Sequence, residues 1–101
     1  MDLQKLFNIE GKTALITGGS RGIGEMIAAG FLANGAKVYI TARKEAPLIE
    51  KAKELSEKFN GDCIAIPCDL SNMEGIQRLA SDYLQQEDSL DILVLSLIHI
   101  W

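Results

Sequence analysis

Four short apolar runs alternate along the chain with three longer segments whose apolar residues recur at helical spacing. Thr13-Ala14-Leu15-Ile16-Thr17 is nearly continuous in apolar character and runs into glycines, the pattern of a strand buried on both faces. Residues 23–33 set Ile23, Ile27 and Phe31 at helical spacing, and Asn34-Gly35 supplies a helix stop. Val38-Tyr39-Ile40-Thr41, rich in β-formers, predicts a second strand. Residues 46–59 read as a charged amphipathic helix with Leu48, Ile49, Ala52 and Leu55 on one side, closed by Asn60-Gly61. Residues 63–67 form a third strand, residues 69–71 offer a helix cap, and residues 73–84 predict a helix around Ile76, Leu79 and Tyr83. Residues 90–94 complete the series as a fourth strand.

The resulting order, β-α-β-α-β-α-β, contains no repeats, linkers or low-complexity tracts. Such alternation implies an α/β fold, a doubly wound parallel sheet with right-handed crossovers and helices on both faces. An antiparallel α+β arrangement fits less well, because each connection is long enough to hold a helix. The expected strand order is 3-2-1-4, with the first strand central, so that its following turn lies at the switch point where open α/β sheets bind ligands.

Composition narrows this further. The 101 residues suit one small domain, and 48% hydrophobic content with a net charge of −4 excludes a disordered chain. The acidic balance argues against a nucleic-acid or anionic-membrane partner. No stretch approaches the ~20 apolar residues of a membrane span, and the first residues lack a basic region followed by an apolar run. Cys63 and Cys68 stand an odd number apart in a strand and so face opposite ways, which disfavours a disulfide. Together these features suggest a reducing, cytoplasmic setting.

The most informative segment is Thr17-Gly18-Gly19-Ser20-Arg21-Gly22-Ile23-Gly24, where the first strand turns into the first helix. Gly18 and Gly19 permit a sharp turn, while Gly22 and Gly24 keep side chains away from the helix start. A helix N-terminus there offers unpaired N–H groups to an anion, and Ser20 and Arg21 add a hydroxyl donor and a cation. The spacing differs from the G-x-G-x-x-G fingerprint; a plain tight turn is the alternative to a phosphate cradle.

Thr17, Gly18, Gly22 and Gly24, written Thr-Gly-x-x-x-Gly-x-Gly, resemble the cofactor motif of the short-chain dehydrogenase/reductase family. The resemblance extends through Gly11-Lys12-Thr13-Ala14-Leu15-Ile16, Asn34-Gly35-Ala36, Cys68-Asp69-Leu70 and Leu90-Asp91-Ile92-Leu93-Val94. It implies a Rossmann-type domain and hydride transfer between a nicotinamide cofactor and a small-molecule carbonyl or alcohol, in a full-length homo-oligomer. Gly-Gly-Ser-Arg-Gly-Ile-Gly together with Ile40-Thr41-Ala42-Arg43 is similar to NADPH-dependent 3-oxoacyl reductases of the rhamnolipid-biosynthesis type.

The residues after the second strand bear on the choice of cofactor. An acid there would accept from a ribose 2′-OH and repel a 2′-phosphate. Ala42 stands where NAD-type members of the family carry Asp, and Arg43 and Lys44 follow. Arg43 with Arg21 would give a 2′-phosphate two forked donors, which favours NADP(H) over NAD(H); otherwise Arg43 and Lys44 are solvated loop charges. Asp69 and Leu70 match the family's adenine site, and capping of the third helix is the competing role for Asp69.

The family's Asn-Asn-Ala-Gly after the fourth strand, and its catalytic Asn, Ser, Tyr and Lys, have no counterparts here. Neither Tyr39 nor Tyr83 has a Lys four residues on. Residues 1–94 therefore read as the N-terminal part of a single dinucleotide-binding domain, expected to be inactive alone. Residues 95–101 match one frame of a common transposase adapter, Leu-Ser-Leu-Ile-His-Ile, followed by Trp, and are expected to be non-native; His99 then carries no chemistry. A non-catalytic nucleotide-binding module is the alternative function.

Overall fold

The computed structural model describes residues 9–18 and 22–95. The strands are β1 (Thr13–Thr17), β2 (Lys37–Thr41), β3 (Cys63–Ala65) and β4 (Ile92–Leu95); the helices between them are α1 (Gly22–Ala33), α2 (Glu45–Phe59) and α3 (Met73–Leu84). They form one parallel sheet in the order β3-β2-β1-β4, as the alternation implied. β1 is flanked on both sides, pairing Thr13 to Lys37 through Thr17 to Thr41 and Ala14 to Ile92 through Thr17 to Leu95.

Strand periodicity divides the interior into two cores. Ile16, Val38 and Ile40 pack with Ala28 and Leu32 of α1 and Leu48, Ala52 and Leu55 of α2. Leu15 and Tyr39 point the other way and join Leu79 and Tyr83 of α3. Cys63 belongs to the first core and Cys68 to the second, both as free thiols, in keeping with their odd separation.

The helix faces differ from the expected stripes. α1 buries Gly24, Ala28 and Leu32, not the Ile23, Ile27 and Phe31 stripe. Ile23 is 60% exposed, while Ile27 and Phe31 pack at the core's margin. The small side chains win the inner face because they let the helix backbone approach the sheet. Likewise Ile49 and Ile76 stay exposed although Leu48, Leu79 and Tyr83 are buried.

α1 ends in a Schellman arrangement: Ala36 N–H donates to the Phe31 carbonyl at 3.0 Å and Gly35 N–H to Leu32 at 3.1 Å, with Gly35 at φ +88°. At the end of α2 the left-handed residue is Asn60 (φ 50°) rather than Gly61. β3 ends before Pro67, which has no N–H, yet Ile66 and Cys68 still donate to Ile40 and Ala42 at 3.0 and 2.9 Å. β4 starts later than expected because Asp91 binds the head of β1, its carboxylate accepting from Thr13 N–H at 2.9 Å. Asn72, not Asp69, caps α3, accepting from Gly75 N–H at 2.7 Å.

Candidate functional site

A parallel sheet places all its strand C-termini on one edge, and ligands gather there. At the end of β1 the chain turns through Gly18 at φ +71°, whose N–H donates to the Thr41 carbonyl at 2.7 Å. This bond ties the glycine turn to the end of β2. Gly22, at φ +66°, opens α1, and Gly24 is buried in its first turn. Both positive φ values fall in the left-handed region, which a side chain would strain. Thr17 is buried, its hydroxyl 3.5 Å from the Val94 carbonyl, whereas Ile23 faces outward. Ser20 and Arg21, with Gly19, lie outside the described residues.

Beyond β2, the exposed Arg43 lines a cleft of about 310 Å³ together with Asp69, Asn72 and Arg78, above Pro67 and Cys68. The volume falls within the ~300–1,000 Å³ typical of small-molecule sites. The Asp69 carboxylate is held by Ser71, Oδ1 accepting from the hydroxyl at 2.6 Å and from the N–H at 2.9 Å. These bonds, and to a smaller degree the Arg43 charge, keep its carboxyl below the usual carboxylate range, so it is an acceptor at neutral pH. Leu70 follows at 37% exposure.

The Cys68 thiol donates to the Gly75 carbonyl at 3.0 Å, and burial pushes its pKa up. The neighbouring Thr41 hydroxyl opposes that rise, but it is fully buried and meets hydrogen-bond geometry with no described group. The structure thus brings Arg43 and Asp69 to one cleft and links the glycine turn to it through Thr41. Sequence reasoning missed Asn72, Gly75 and Arg78. Asn72 is one of several good cap residues before α3, with Gly75 in place of the Glu or Gln of a capping box, and Arg78 looks like any polar position on α3.

The donor set fits a dinucleotide. The glycine turn opens a helix at one strand end, a cation follows the next strand, and an ionised acceptor follows the third. Residues 12–96 match the family model for short chain dehydrogenases. The chain belongs to the short chain dehydrogenase family. It is 50% identical over 88 residues to the rhamnolipids biosynthesis 3-oxoacyl-[acyl-carrier-protein] reductase of Pseudomonas aeruginosa, covering 87% of this chain and 34% of that one. It is 40% identical over 94 residues to a fatty acyl-CoA reductase of Acinetobacter baylyi, covering 91% and 32%.

Among solved structures it superposes on the RhlG/NADP active-site complex of Pseudomonas aeruginosa with a TM-score of 0.83 at 49% identity, over 87% of this chain and 35% of that one. L-sorbose reductase from Gluconobacter frateurii, complexed with NADPH and L-sorbose, gives a TM-score of 0.80 at 38% identity, over 84% and 32%. This member of the short chain dehydrogenase family corresponds to an N-terminal portion and spans about a third of the length of the curated relatives it matches. No helix among the described residues is long and apolar enough to cross a membrane.

Proposed function

We propose that the chain supplies the cofactor-binding part of an NADP(H)-dependent oxidoreductase that reduces a carbonyl, such as a 3-oxoacyl thioester, to an alcohol. Thr17, Gly18, Ser20, Gly22, Ile23 and Gly24 would cradle the pyrophosphate at the start of α1. Arg21 and Arg43 would take the 2′-phosphate, and Asp69 would accept from the adenine amine beside Leu70. NADPH, when bound, supplies the hydride; the residues of this chain hold and orient it. The likeness to the Pseudomonas aeruginosa reductase supports the 3-oxoacyl substrate. The full-length enzyme would act as a homo-oligomer in the cytoplasm, with residues 95–101 foreign to it.

One observation carries this reading: Arg43, preceded at the end of β2 by Ala42 and not by an acid, shares a cleft with an ionised Asp69. Calorimetric titration of the chain with NADPH, NADH, 2′,5′-ADP and 5′-AMP tests it. The 2′-phosphate should tighten binding within each pair. Equal affinity with and without that phosphate would remove the NADP assignment.

A further inference from the structure

Arg78 enters none of the roles above, yet it lines the same cleft as Arg43 and Asp69. It reaches the cleft from the second turn of α3, whereas Arg43 approaches from the link between β2 and α2. Neither guanidinium lies within ion-pair distance of a carboxylate among the described residues. Arg78 is close enough to the cleft floor for its charge to lower the Cys68 thiol pKa against the effect of burial. An arginine without an ion-pair partner among the described residues, lining a concave site, is available to a ligand.

The lining chemistry narrows which part of a ligand that is. Three carboxylates, from Glu45, Asp69 and Glu74, face two guanidiniums. Beyond the one phosphate that Arg43 would take, a lining with that balance does not gather a further anion. It suits a neutral, flat group with an amine to donate, and a planar guanidinium stacks on such a ring where an ammonium does not. We propose that Arg78 is a further cofactor-binding residue that packs its guanidinium against the adenine base. The inference rests on the NADP(H) reading and assigns Arg78 to the base, leaving the 2′-phosphate to Arg43.

Calorimetry of the full chain carrying Arg78→Ala against NADPH, NADH and 5′-AMP tests this. All three ligands share the adenine, so all three should lose affinity by a similar factor, about three- to tenfold. Arg78 is exposed on its helix, so far-UV circular dichroism should be unchanged. Arg78→Lys keeps the charge without the plane and should show much of the same loss, which keeps the test open if the alanine variant unfolds. Unchanged affinity for all three ligands would overturn the inference. So would a loss confined to NADPH, since Arg78 would then be reading the phosphate. A wild-type chain that binds none of the three would instead remove the NADP(H) reading itself.

Discussion

Oε2 of Glu87 accepts from the Tyr39 hydroxyl at 2.6 Å and from the Lys37 ammonium at 2.5 Å, so one carboxylate oxygen anchors a phenol that is fully buried. Burial, and then the bond to Glu87, pushes Tyr39 up to about 12, and burial alone pushes the Cys63 thiol up to about 12. Both groups are kept neutral by folding. Their stabilising contributions are complete below their unfolded values, ~9 for the thiol and ~10 for the phenol, and fade as pH rises toward 12. Glu87 is shifted the other way, first by Lys37 and then by Tyr39. Its contribution is present above the ordinary carboxylate value and disappears as pH falls through the lowered one. The melting temperature should therefore hold a plateau at neutral pH and decline from about pH 9 upward. Tyr39→Phe should flatten the part of that decline above pH 10; a melting series in which variant and parent decline in parallel there would show that the phenol contributes nothing. Arg43 raises a separate expectation. Arg43→Ala should weaken NADPH binding by roughly 1–3 kcal/mol, the range for a lost charge-assisted hydrogen bond, and leave NADH nearly unchanged. Calorimetry showing equal loss for both would reduce Arg43 to a support of its loop.

Among the elements, α1 shows where periodicity misleads. It is apolar almost all round, so large residues alone do not mark its inner face. Ala28 is fully buried between helix and sheet while Ile23 is 60% exposed. Ala28→Leu should cost about 1–3 kcal/mol through overpacking, whereas Ile23→Gln should stay within about 0.5 kcal/mol. Urea denaturation that ranks the two substitutions in reverse would restore the Ile23 stripe as the core face. Strand identity and order were legible because β1 and β2 are apolar on both faces, which only a sheet covered on both sides requires. The placement of Cys63 and Cys68 in opposite cores was legible for the same reason, since alternation along an extended segment leaves little freedom. The cap of α3 was not, because Asp69, Ser71 and Asn72 are all good cap residues and only geometry chooses among them. Asn72 takes the helix and frees Asp69 to be held by Ser71. Arg78 was illegible because what distinguishes it is a cleft formed by segments thirty-five positions apart in sequence, at Arg43 and Arg78.

For the whole molecule, the parallel sheet separates supporting chemistry from binding chemistry. The strand C-termini carry the glycine turn, Arg43 and Asp69, while Lys37 sits at the opposite end of β2 with Glu87. Both tyrosines serve packing: their rings meet edge to face at 5.0 Å, and the Tyr83 hydroxyl donates to the Ser89 carbonyl at 2.6 Å. Carbonyl reduction needs a proton passed to the developing alkoxide by a group within hydrogen-bond reach. A phenol raised to about 12 and bonded to Glu87 is tuned away from that task. Of the groups that line the cleft, Arg43 and Arg78 keep their protons, Asp69 is held ionised, and the Cys68 thiol already donates to the Gly75 carbonyl, so none of these four replaces it. The 101-residue chain should therefore bind NADPH and 2′,5′-ADP without consuming NADPH in the presence of a ketone or 3-oxoacyl thioester. Following the absorbance of reduced nicotinamide alongside calorimetry separates the two functions. Substrate-dependent loss of that absorbance, surviving in Tyr39→Phe and Tyr83→Phe, would reveal a proton donor that neither tyrosine provides and would overturn the division of binding from chemistry.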